Sequence, residues 1–190
     1  YIPTGDALAP EDADVNATQP EEEGEIQEFS LAYYKDRSMN PTIATDYTNR
    51  MLFSLLYQGL FAVDASYQVE PILCKNYSVS KDQKTYVFYL EAATFSDGTA
   101  LTAADVVASL RSAMESPVYS GRFGYVSKIA ATAEGAVQVT LSIPYENFPM
   151  LLDVPIVKAS EVSLERPLGT GPYQLDTATQ GLRLLRKNNW

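Results

Sequence analysis

An α+β fold is predicted for this 190-residue chain from two kinds of hydrophobic period and one capping signal. Residues 126–133 and 136–143 alternate as a strand pair does, and 85–90 is a further strand-like run. A helical run opens at Thr102-Ala103-Ala104-Asp105, which has the spacing of a capping box with Asp in place of the usual Glu. Mixed strands and separated helices together indicate a mixed sheet of the α+β class.

The first 28 residues stand apart. They hold nine of the 24 acidic residues (Asp6, Glu11, Asp12, Asp14, Glu21, Glu22, Glu23, Glu25 and Glu28) and neither Lys nor Arg. With little that could pack a core, residues 1–28 are expected to be a disordered acidic tether. The remainder carries 15 acids against 14 bases, so it is nearly neutral although the whole chain stands at −10. No basic stripe is available to neutralise phosphates, and no nucleic-acid partner is expected.

Order is expected from Phe29, where Phe29-Ser30-Leu31-Ala32-Tyr33 alternates as a strand. Met39-Asn40-Pro41 then breaks the chain, because proline disfavours helix in the residue before it. From Asp46 the period changes, and Tyr47, Met51, Leu52, Leu55 and Leu56 fall on one face of a predicted helix that stops at Gly59. Leu60-Phe61-Ala62-Val63 reads as a short strand. Residues 76–80 and 85–90 flank Lys81-Asp82-Gln83-Lys84 at hairpin spacing. Phe95-Ser96-Asp97-Gly98 is a turn in which Gly98 is suited to positive φ. The capped helix runs from Ala103 to about Glu115, buries Val106, Val107, Leu110 and Met114, and ends at Ser116-Pro117. Strands are predicted at 126–133 and 136–143 around Glu134-Gly135, a short helix at Phe148–Leu152, and strands after Pro172 and over 182–186.

Composition narrows the chemistry. There is no histidine and only one cysteine, Cys74, so histidine-based acid–base catalysis, histidine-bearing triads, disulfides and cysteine metal clusters are all ruled out within the chain. No catalytic residue, metal ligand or cofactor is assigned. No run of 18 apolar residues occurs. The chain opens on Tyr1 with no visible signal peptide, and it is expected to be a trimmed stretch of a longer protein. Thirteen tyrosines suit either a binding surface of rigid amphipathic rings or a β-rich core edge, and both readings stay open. Gly169-Thr170-Gly171 is not a phosphate loop, since Pro172-Tyr173 leads into a strand rather than a helix. Asp97-Gly98 lacks the further acidic ligands of a calcium loop.

Six segments resemble, in order, the extracellular solute-binding proteins of ABC importers, the class that includes oligopeptide, dipeptide and nickel receptors. Residues Phe95 to Val107 are similar to the family's F-S-D-G-T-P-L-T-A-E-D-V-V signature. Leu55-Leu56-Tyr57-Gln58-Gly59-Leu60 resembles L-Y-E-G-L, Pro71-Ile72-Leu73 resembles P-x-L-A, and Thr85 to Leu90 resembles Y-T-F-x-L. Downstream, Gly169-Thr170-Gly171-Pro172-Tyr173 looks like G-T-G-P-Y, and Arg186 to Trp190 like R-N-x-x-Y-W. Three positions depart from the pattern. Gln83 stands where Gly is usual, Glu91 where Arg is frequent, and Cys74 replaces alanine, which favours a small buried residue over a reactive thiol.

The resemblance implies the N-terminal part of a two-lobed periplasmic-binding-protein type II fold. Residues 29–43 would begin lobe one, 44–165 would form the extra domain of the peptide-binding class, and 166–190 would return into an incomplete lobe one. It implies a non-enzymatic, extracytoplasmic receptor, in the periplasm or at the cell surface. Such a receptor would hand a peptide or similar small solute to ABC permease subunits, with membrane attachment only through an upstream lipid anchor. A nickel chelate, haem or sugar stays open as ligand. A sensor or surface interaction module on the same scaffold is the alternative, and a hydrolase a third possibility. By position in the family pattern, Thr45 and Tyr47 in the loop after Pro41, and Tyr119, Phe123 and Tyr125 after the capped helix, are candidate ligand contacts, with packing between domains as the competing role for each.

Overall fold

The apolar run at 85–90 becomes strand β4 (Thr85–Leu90), which buries Tyr86 and Phe88 on one face. This computed structural model describes residues 31–176 and 183–186, and those from Ala32 onward belong to one compact unit. The expected acidic tether, Phe29, Ser30 and Lys187 to Trp190 lie outside the described residues, and Leu31 to Tyr33 form no strand.

Strand β1 (Phe61–Val63) pairs antiparallel with β2 (Val69–Pro71) around a turn in which the Asp64 carboxylate accepts from the amides of Ser66 and Gln68, each at 2.8 Å. The β2 strand was not anticipated, because Val69-Glu70-Pro71 is exposed throughout and shows no alternation. Next come β3 (Cys74–Val79) and β4, joined by the predicted hairpin. Gln83 in that turn takes φ +55°, the left-handed conformation that makes glycine the usual occupant. Strands β5 (Val126–Ala131) and β6 (Val137–Leu141) complete an antiparallel sheet of order β3-β4-β6-β5.

Asp46 caps a single helical turn, α1 (Tyr47–Arg50), by accepting from the Asn49 amide at 3.1 Å. A second turn, α2 (Phe53–Leu56), follows. The expected continuous amphipathic helix is therefore replaced by two turns. The cause is visible in the backbone ladder, which tightens from i−4 at Arg50 and Met51 to i−3 at Leu52 and Leu55. At three residues per turn the faces rotate, so Leu52 and Leu56 stay buried while Tyr47 and Met51 are exposed.

Helix α3 (Ala103–Glu115) buries Val106, Val107, Leu110 and Ala113, with Met114 partly buried at the margin. The capping box forms: Asp105 Oδ2 accepts from the Thr102 amide at 2.8 Å and from the Thr102 hydroxyl at 2.7 Å. Its other oxygen accepts from the Ala159 amide at 2.8 Å, so one buried carboxylate caps the helix and holds a distant segment. Phe148–Leu152 is a 3-10 helix with Pro149 in its first turn.

Two apolar clusters result. The first collects α3 and the inner sheet face, with Phe88, Val137, Val139 and Leu110 fully buried, and draws on residues 60–156. The second joins Met39, Ala44, Leu52, Phe53, Leu56 and Tyr57 to Val157, with Tyr173 and Leu175 packed against it. The chain leaves for the first cluster at Gln58 and returns at Ile156, and these two residues form an antiparallel bridge.

On its return the chain crosses the end of α2, and Gly171 donates its amide to the Leu56 carbonyl at 2.9 Å. A Cβ on Gly171 would stand 2.6 Å from the Leu56 oxygen and 2.7 Å from that of Leu55, and one on Gly169 would strike Leu56 and the Tyr57 ring. Strands β7 (Tyr173–Asp176) and β8 (Arg183–Arg186) then pair as a hairpin.

Two outcomes are expected. Gly171→Ala should cost roughly 3 kcal/mol in urea unfolding, because a backbone crossing rather than a movable side chain must give way; a change below about 1 kcal/mol would show that the crossing is loose. The second concerns Asp97, whose carboxyl is pulled down to about 2, first by the Lys158 ammonium and then by the Thr99 hydroxyl. A lowered carboxyl stabilises the fold fully above its unfolded value and loses that effect as pH falls through its folded value. The stability gap between the native chain and Asp97→Asn should therefore be constant above about pH 5 and close between about pH 4 and 2. A gap unchanged at pH 2 would contradict it.

Candidate ligand-binding surface

Two buried asparagines shape the loop that carries Thr45 and Tyr47. Asn40 donates to the carbonyls of Val162 and Leu164, both at 2.8 Å, while its side-chain oxygen accepts from the amide and hydroxyl of Thr42, both at 3.0 Å. Asn49 accepts from the Tyr34 amide at 2.7 Å and donates to the Tyr34 carbonyl at 2.9 Å. A buried amide is tolerated because every donor and acceptor finds a partner, and that requirement gives the loop one conformation. The Thr42 hydroxyl also lies 2.9 Å from that of Ser112, fastening the loop to α3.

Arg50 joins this loop to the segment after α3. Its guanidinium donates to the carbonyls of Pro41 at 3.3 Å and Ala44 at 3.1 Å, and to the Tyr119 hydroxyl at 3.2 Å. It lies over the rings of Phe53 and Tyr119, 5.5 and 5.4 Å from their centroids. Arg122, in the 3-10 turn Ser120–Arg122, is 5.1 Å from the Tyr119 centroid and pairs with Asp153. Tyr119 thus has two guanidinium partners, an arrangement that a planar, weakly hydrated cation favours.

The five candidates divide by exposure. Thr45, Tyr47 and Tyr125 are exposed, Tyr47 by 75% and Tyr125 by 54%. Tyr119 and Phe123 are buried within the first cluster. The Arg50–Tyr119 contact is what brings the two candidate segments together. Arg50 and Arg122 were missed by the sequence reading. Arg50 sits four positions after Asp46, the spacing of an ordinary solvated helix pair, but Asp46 binds Arg37 instead.

Thr45, Tyr47 and Tyr125 each present an exposed hydroxyl, a group that can donate to carbonyl and carboxylate oxygens. Among the described residues, no group of three or more His, Cys, Asp or Glu is placed to hold a metal ion. Cys74 lies elsewhere, buried, with its thiol donating to the Asn76 carbonyl at 3.2 Å and pushed up to about 11 by burial and then by Glu91. That environment is the one expected of an inert packing thiol. Burial, and secondarily Glu161, raises the Tyr57 hydroxyl well above the usual phenol range, and this group donates to the carbonyls of Met39 at 2.8 Å and Pro167 at 3.3 Å. No helix among the described residues is long and apolar enough to cross a membrane.

Residues 68–190 match the bacterial extracellular solute-binding proteins, family 5 Middle. The chain belongs to this family. The glutathione-binding protein GsiB of Escherichia coli K12 is 33% identical over 156 residues, covering 75% of this chain and 30% of GsiB. Two solved structures share the fold. The PBP AgaA of A. tumefacien R10, in complex with agropinic acid, aligns at TM-score 0.66 and 27% identity over 78% of this chain and 33% of AgaA. The ABC transporter substrate binding protein CtaP of Listeria monocytogenes gives 0.66 and 27% over 80% of this chain and 35% of CtaP. The α+β arrangement is part of the type II periplasmic-binding-protein fold. This chain spans about a third of the length of these relatives.

A double-mutant cycle tests the Arg50–Tyr119 link. Tyr119→Phe should cost about 1 kcal/mol, and Arg50→Ala about 3 kcal/mol because two buried carbonyls lose a donor. The pair should be non-additive by about 1 kcal/mol in urea unfolding. Additivity within about 0.3 kcal/mol would mean that the two residues act separately.

Proposed function

We propose that the protein to which this chain belongs is the substrate-binding component of an ABC importer, capturing a peptide or similar small solute outside the cytoplasmic membrane and delivering it to permease subunits. Membership of family 5 over residues 68–190 is the observation that carries the reading. Relatives whose names specify glutathione and agropinic acid support a small polar organic ligand with carboxylates and carbonyls. No covalent step is required, and the role is binding rather than catalysis.

In this reading Thr45, Tyr47 and Tyr125 touch ligand directly, while Tyr119 and Phe123 form the buried wall that holds Tyr125 and its neighbours in place. The extra domain, expected over 44–165, is built around the first apolar cluster, and the bridge between Gln58 and Ile156 supports an inserted unit. Residues 29–43 and 166–190 belong to lobe one, and in the second cluster Met39, Tyr173 and Leu175 from those segments pack against Ala44, Leu52, Phe53, Leu56, Tyr57 and Val157 of the extra domain. Capture proceeds by closure of a second lobe onto this surface, with backbone hydrogen bonds and water-filled side-chain pockets giving broad specificity. The acidic leader is a tether to a lipid anchor upstream.

Native mass spectrometry on the whole protein containing this chain should reveal a co-purified mass in the peptide range. Tyr47→Ala and Tyr125→Ala should each weaken that ligand by about tenfold with an unchanged thermal midpoint, since both rings are exposed. A protein that purifies empty and shows no thermal shift with a peptide panel overturns the importer reading. Undiminished affinity in both variants overturns the assignment of the surface.

A further inference from the structure

A cavity of about 420 Å³ opens between the β1–β2 hairpin, the start of β3 and the 3-10 turn Phe148–Leu152, and none of the five candidate contacts lines it. That volume is within the range of small-molecule sites. Part of its wall is apolar, made by Phe61, Tyr77, Pro149 and Met150. The Tyr77 ring is held edge-on to Phe61, with centroids 5.9 Å apart, and lies 5.6 Å from Phe88, yet the residue remains 46% exposed. One part of a packed ring is therefore open to a second partner.

Four polar side chains meet this wall from two sides, Lys75 and Asn76 from β3 and Glu146 and Asn147 from just before the 3-10 turn. None of the four side chains takes a hydrogen bond or ion pair among the described residues, in contrast to Asp97 with Lys158 or Asp46 with Arg37. An ammonium, a carboxylate and two amides, unengaged and gathered beside an apolar wall, are the complement of a zwitterion. The cation suits a carboxylate, the anion suits an ammonium, and the rings suit a hydrophobic side chain.

We propose that this cavity binds a free amino acid with a hydrophobic side chain, at a site separate from the Arg50–Tyr119 surface and independent of the function proposed for it. Titrating the ¹⁵N-labelled chain with L-phenylalanine should shift the amides of residues 74–77 and 146–150 saturably. The uncharged N-acetyl-L-phenylalanine amide should bind at least about tenfold more weakly, and Lys75→Glu and Glu146→Lys should each weaken L-phenylalanine by about tenfold. Both residues are exposed and unengaged, so the variants should keep the native thermal midpoint, and Tyr47→Ala should leave binding unchanged. No shifts at these amides up to the solubility limit, equal binding of the neutral probe, or indifference to both charge reversals would overturn the proposal. So would shifts confined to residues near Thr45 and Tyr125, which would put the amino acid on the other surface.

Discussion

A helix that ends after four residues leaves its last carbonyls without partners of its own, and in this protein the returning chain provides the donor. The Gly171 amide meets the Leu56 oxygen, the Tyr57 hydroxyl reaches Pro167 and Met39, and the second apolar cluster closes around that crossing. The crossing is possible only because two glycines offer no Cβ where Leu56 and Tyr57 stand. Segments more than a hundred residues apart in sequence are thereby held in register, and the loop bearing Thr45 and Tyr47 inherits its position from them.

From this anchor the candidate surface is built by buried polar groups rather than by apolar packing alone. Asn40 ties the loop to Val162 and Leu164, Asn49 ties it to Tyr34, and Arg50 ties it to Tyr119. Each is satisfied, which is what makes burial of the two amides tolerable beside the half-buried Arg50. Such groups favour one loop conformation over near alternatives, the property a binding surface needs if exposed side chains are to meet a ligand without first being ordered.

Much of the fold was legible because its signals are local. The alternation of Tyr86 and Phe88, the reach of Asp105 back to Thr102, and the turn at Glu134-Gly135 depend on neighbours within a few residues. What escaped depends on partners far away. Nothing in Tyr47 to Leu56 announces that its backbone ladder will tighten at Leu52 and Leu55, or that Asn49 will bond to Tyr34. Val69-Glu70-Pro71 becomes a strand only by pairing with β1. The Arg50 bridge between the two candidate segments was not legible, because a lone arginine on a helix carries no mark of the tyrosine it will meet 69 positions later.

The bridge between Gln58 and Ile156 has a consequence for how such a molecule changes over time. Nearly a hundred residues of sheet and helix lie between two positions that meet in one antiparallel bridge. Chain added to or removed from that excursion alters closure entropy only logarithmically, so length is cheap to vary so long as the two feet stay together. The turns at 81–84 and 132–135 can thus be lengthened or trimmed, whereas α3 cannot be exchanged freely, because Ser112, Ser109 and Asp105 fasten it to Thr42, Val157 and Ala159. New surfaces can arise at those turns without reopening the problem of how the rest of the chain is held.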